Sequence, residues 1–175
     1  MKKAMLIITA MYVVTSVGSH EQTHRSINAG SIFAEFSIGD VIDRLTILTI
    51  KRHRITDQKK LDNVILEYES IMQSLNDYCK SLEDLKPELA KLADELLAIN
   101  TQMWELEDLI RHKEALKEFD AEFIELARSV YHTNDQRCAI KRLINTLTGS
   151  RLIEEKQYVE YKKSYNTSST CNLSK

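Results

Sequence analysis

Leu61, Val64, Tyr68, Ile71, Leu75 and Tyr78 advance by threes and fours, and Leu85, Leu89, Leu92, Leu96, Ile99, Met103, Leu106 and Ile110 do so again. Apolar residues at that alternation keep one side of a helix turned to one partner. The interruption between the two runs holds Ser81, Asp84 and Pro87. Proline suits a first helical turn, where its missing N–H is not needed. The spacing therefore predicts two long helices over 57–118, folded into an antiparallel, coiled-coil-like hairpin that turns between Tyr78 and Pro87.

Composition supports an all-α chain. With 175 residues, 43 % hydrophobic and 29 % charged, the sequence can bury one core, and four Gly and one Pro leave few turns. A formal charge of −2, with acidic and basic residues interspersed, supplies no basic field for nucleic acid, so no nucleic-acid partner is expected. Cys79, Cys138 and Cys171 are odd in number and widely spaced, which argues against a disulfide framework and a zinc cluster.

Working outward, residues 1–19 read as a signal-like segment, with Lys2 and Lys3 before an apolar run from Ala4 to Val17. Export to a periplasmic or extracellular space is the expectation if that segment is genuine. A mis-start upstream of a cytoplasmic protein is the alternative, and membrane contact is expected only through this segment. Residues 20–35 form a polar linker, 36–163 a single helical domain, and 164–175 a disordered tail rich in Ser, Thr, Asn and Lys.

Ser37 is placed to cap a first helix through Asp40, with Phe36 and Val41 as a hydrophobic staple. The seam slips at Thr56-Asp57, which predicts a kink or break there. Asp120 repeats the start signal with Phe119 stapled to Ile124, a further break is expected over Thr133–Gln136, and Gly149 ends the next helix. Residues 151–163 are expected to form a last short amphipathic helix. The shorter helices thus flank the hairpin on both sides.

Chemistry-bearing motifs are few. His20-Glu21-Gln22-Thr23-His24 matches the pattern in which two imidazoles one turn apart hold zinc. It sits in a polar stretch with no apolar helical face and no evident third ligand, so a metallopeptidase is the least favoured reading, and neither metal nor cofactor is expected. Asn134, Arg137, Lys141 and Asn145 occupy one face of a helix, and Asp43 and Lys51 lie two turns apart on the first, where Asp40 and Arg44 are spaced for a pair. No nucleophile elbow, phosphate loop or paired Cys and base is present.

The run Phe36-Ser37-Ile38-Gly39-Asp40-Val41-Ile42-Asp43-Arg44-Leu45-Thr46-Ile47-Leu48-Thr49-Ile50-Lys51 resembles the opening of a bacterial family of small helical proteins of unknown function. Further matches lie at Trp104 to Arg111, at Phe123 to Tyr131, at Asn134-Asp135-Gln136-Arg137 with Lys141 and Asn145, and at Gly149-Ser150 with Glu154 to Tyr158. The resemblance implies no reaction, but it hints at a setting near cell-surface polysaccharide assembly.

Two readings of function follow. The first is a non-enzymatic interaction or scaffold protein that uses its helices to contact a protein partner or a second copy of itself. The alternative is a small helical enzyme or anionic-ligand-binding domain, in which Asp43, Arg44, Lys51, Arg128, Asn134, Asp135, Arg137 and Lys141 converge on one polar pocket. Either version requires a charge-paired contact between the first helix and residues 128–141.

Overall fold

The computed structural model describes residues 34–79, 83–157 and 159. The signal-like segment, nearly all of the linker with His20 and His24, and the tail after 163 lie outside the described residues. Among the described residues there are four α-helices and no strand: α1 (Ile38–Arg54), α2 (Gln58–Cys79), α3 (Lys86–Leu116) and α4 (Ala121–Thr148), with a 3-10 turn at Glu83–Leu85.

The end signals act as their chemistry dictates. Ser37 Oγ accepts from the Asp40 amide at 3.1 Å, Asp57 Oδ1 from Lys60 at 2.9 Å, and Asp120 Oδ1 from Phe123 at 3.0 Å. Pro87 sits in the first turn of α3. Gly149 takes φ 63°, so the Ser150 amide can return to Asn145 O at 2.9 Å and close α4. Lys117 adopts φ 59° after α3, and the Lys113 ammonium beside it joins Glu118, Asp120 and Glu122 across the turn.

The two staple positions are open to solvent. Phe119 is 56 % exposed and stacks edge-to-face on Phe123, with centroids 5.3 Å apart. Phe36 leaves 65 % of its surface open and so contributes little at the start of α1. Two further expectations are corrected. α4 runs unbroken through Thr133–Gln136, because this stretch has neither Gly nor Pro and Thr133 is buried inside the fold. Residues 151–157 are not helical; Glu154 and Glu155 reach back to Lys141 and Arg142 and hold them as a strap along α4.

The seam also closes differently from a free-standing hairpin. α1 packs against α2, α3 and α4, while the longest helix pairing is α3 along α4, through the turn at 117–120. α1 carries too much apolar surface for a one-sided helix: Ile42, Leu45, Leu48 and Ile50 are all buried, and so are Thr46 and Thr49. Such a helix must be enclosed. Val64, Tyr68, Met72 and Leu75 of α2, Leu89, Leu92 and Leu96 of α3, and Ile144 of α4 close around it in one core.

Beyond this core the α3–α4 pair continues as an arm. No residue from 101 to 132 is buried, although Met103, Leu106 and Ile110 are half-buried opposite a half-buried Phe123, Leu126 and Val130.

Candidate functional site

The polar groups of the fold meet where the first half of α1 crosses α3 and α4. Asp43 is 5 % exposed, well inside the range where a carboxylate requires partners. Arg137 supplies a two-pronged one, with Nε donating to Asp43 Oδ1 at 2.8 Å and the other prong donating to Oδ2. Asn100 Nδ2 donates to the same Oδ1 at 2.9 Å and to Thr46 Oγ1 at 2.8 Å. Thr46 in turn donates to the Asp43 carbonyl at 2.7 Å, so a hydroxyl buried in mid-helix is satisfied locally.

One turn earlier on α1, Lys141 Nζ lies 2.6 Å from Asp40 Oδ1 and also donates to Glu154 from the strap. Asp40 accepts from Ser37 Oγ at 2.6 Å as well. The Gly39 amide, an unpaired donor of a first helical turn, is taken by Asn145 Oδ1 at 2.7 Å. α1 and α4 therefore run antiparallel, with the pairs Gly39–Asn145, Asp40–Lys141 and Asp43–Arg137 stepping along both.

Ionisation follows from this geometry. Burial pushes the Asp40 carboxyl up, but hydrogen bonds from Lys141 and Ser37 and the positive charge nearby hold it below its ordinary 3.8. Burial likewise works against the Lys141 ammonium and is outweighed by Asp40 and Glu154, which raise it above 10.5. The Lys141 bond lowers Glu154 from 4.5, and the hydrogen bond to Asp43 raises Arg137.

The lowered carboxylates contribute stability that is present above their ordinary pKa values and lost as pH falls through the lowered ones. The raised lysine contributes stability that is present below 10.5 and lost as pH rises through its higher value. Stability should hold from about pH 5 to about pH 10 and fall on both sides. Lys141→Met should lower stability by about 2 kcal/mol, less than a fully buried pair would lose, because Asp40 and Glu154 remain one-third exposed. It should also flatten the acid limb. Thermal melts across pH check this, and a variant with the wild-type acid limb would contradict it.

Of the eight residues expected to converge, Asp43, Arg137 and Lys141 do so. Arg44 turns to the other side of α1 and bonds Glu67 of α2 through Nε at 2.6 Å, not Asp40. Lys51 lies in the last turn of α1, where its charge complements the helix dipole. Arg128 lies out on the arm beside Glu125. Asn134 and Asp135 are half-buried on α4. A separate shallow groove of about 150 Å³, lined by Thr49, Ile50, His53, Arg54, Leu97 and Thr101, touches none of the eight. Among the described residues no cluster of His, Cys, Asp or Glu could hold a metal ion, and no helix is long and apolar enough to cross a membrane.

Sequence reasoning missed Asn100 and Thr46. Asn100 carried a signal: it is an amide in the middle of an apolar seam, the kind of position at which a polar residue sets helix register.

These features define a class, an all-helical domain in which α1 is locked by a buried polar layer. The chain belongs to a family of unknown function (DUF6165), whose model matches residues 32–173. No curated protein and no solved structure matches it.

Proposed function

We propose that the protein is a helical interaction module that engages its partner through the α3–α4 arm. One observation carries this reading: between residues 101 and 132 nothing is buried, yet Leu109, Leu116 and Phe119 stand 51, 54 and 56 % exposed. Leu109 and Leu116 are seven residues apart and share one face of α3, with Phe119 at the tip. Large apolar side chains grouped this way mark protein contact surfaces.

The charged layer supports the same reading from the other side. Asp43, Arg137, Asp40 and Lys141 satisfy one another, so their chemistry is spent on holding α1 against α4. The polysaccharide-assembly setting suggested by the resemblance gives the partner class, a protein component of that machinery.

The test is cross-linking in source cells with full-length wild type and a Leu109→Glu/Leu116→Glu variant that keeps its circular dichroism and melting point. The wild type should retain a defined protein, or a second copy, that the variant loses at least tenfold. Equal retention by both would remove the arm from the reading, and a wild type that captures nothing would overturn it.

A further inference from the structure

Positive charge on this fold is neutralised almost everywhere except at the α1–α2 turn. From Lys91 to Lys156 every described lysine and arginine pairs with a carboxylate. On α1, Arg44 and Arg54 do the same with Glu67 and Glu105. Lys51, Lys59 and Lys60 have no ion pair among the described residues, and Arg52 lies over the Tyr68 ring instead, 4.5 Å from its centroid. The acids at hand serve other donors: Asp57 Oδ1 accepts from the Lys60 amide at 2.9 Å, and Asp62 Oδ1 from Gln58 Nε2 at 2.7 Å. Residues 51–60 thus hold five Lys or Arg against one Asp.

The helix pairing brings two of these cations together. α2 doubles back on α1 after the short connection at 55–57, and Arg44 bonds Glu67 across the pair. Seven residues after Arg44 stands Lys51, and seven before Glu67 stands Lys60. A step of seven returns to the same helix face, so Lys51 and Lys60 face each other two turns nearer the connection. Lys51 is half-buried, which fixes its stem along the fold, while Lys59 and Lys60 are exposed. Packed helix axes lie about 8–10 Å apart, so two lysine side chains on facing flanks can grip one anion from either side.

We propose that Lys51 and Lys60 hold the phosphate or diphosphate group of a small soluble ligand, with Lys59 adding charge beside them. Facing ammonium groups repel each other, and a dianion between them turns that repulsion into two attractions. Lysine suits such a group as a compact point charge. The charge distribution sets the size of the ligand. The whole chain totals −2, so outside this basic turn it is net acidic. An extended polyanion would run from the turn onto that acidic surface, whereas a compact one meets the turn alone, since salt confines each field to about 8–10 Å. This inference is independent of the proposed partner surface, which lies on α3.

Calorimetry on the full chain at low ionic strength tests it, with pyrophosphate as the probe. Wild type should bind at a single site, and Lys51→Gln combined with Lys60→Gln should weaken binding at least tenfold. Lys91→Gln, which breaks only an exposed pair with Glu88, should leave it unchanged. Equal binding by wild type and the double variant would overturn the site. A short DNA duplex, or vesicles of phosphatidic acid, held through the same two lysines more tightly than pyrophosphate would show an extended partner and overturn the assignment too. Thermal melts give a second reading. Before any anion is added the double variant should melt at or above wild type, because the facing charges are gone, and pyrophosphate should raise the melting temperature of wild type only. A double variant that already melts lower would mean that the lysines are neutralised within the fold, which contradicts the proposal.

Discussion

Asp43→Ala is expected to cost about 3–4 kcal/mol, the largest loss from any side-chain deletion in the polar layer. The carboxylate is 5 % exposed, and three donor contacts converge on it from α3 and α4. Its removal leaves the Arg137 guanidinium uncompensated at 27 % side-chain exposure, and the buried Asn100 amide keeps only Thr46. For a domain of this size the melting temperature should fall by about 10 °C. A charge deleted together with its partner should cost much less, because an apolar pair of similar volume avoids desolvation. Asp43→Leu with Arg137→Met should therefore recover most of the loss. Chemical denaturation of the single and double variants checks this. A single variant within 1 kcal/mol of wild type, on the order of a surface substitution, would mean that the pair is solvated in solution.

Gly39→Ala should be nearly as damaging, and its sign makes it informative. Alanine in place of glycine normally favours a helix by roughly 1 kcal/mol. Here the new Cβ would stand 2.6 Å from the Lys141 carbonyl oxygen and 2.8 Å from Asn145 Oδ1. The first of these is backbone of α4 and cannot rotate away. Relief requires α1 and α4 to separate, which stretches the Gly39–Asn145 bond and both ion pairs beyond it. A loss of about 2–3 kcal/mol is expected, the range for overpacking a tight contact. Equilibrium unfolding would show it, and a stabilised Gly39→Ala would mean that α1 does not approach α4 so closely. Together the two substitutions separate charge from distance as the agent holding α1 in place.

The helices and their ends were legible along the chain because they depend on neighbours in sequence. Ser37, Asp57 and Asp120 each serve an amide three residues on, Pro87 belongs at a first turn, and Gly149 can take a left-handed φ. The same locality explains two misreadings. Thr133 to Gln136 offers a capping pattern, but α4 passes through it because burial of Thr133 favours helix over a local cap. Residues 151–157 have helical spacing, yet ion pairs to Lys141 and Arg142 draw them out as a strap.

What enclosed α1 could be read only from the folded chain. The regular seams of α2 and α3 announce a partner without saying which, since an apolar face accepts any helix of matching shape. α1 is buried on enough of its circumference to take that place. The polar layer depends on the same placement. Spacing put Arg137 and Lys141 on one face of α4, and Asp43 inside an apolar helix, so charge pairing between them was foreseeable. That Arg44 would turn to Glu67, that Asp40 would choose Lys141, and that Asn100 would complete the shell of Asp43 were not. Hydrogen bonds extend about 3 Å, and only the crossing of α1 over α3 and α4 brings residues 57 and 94 positions apart within that reach.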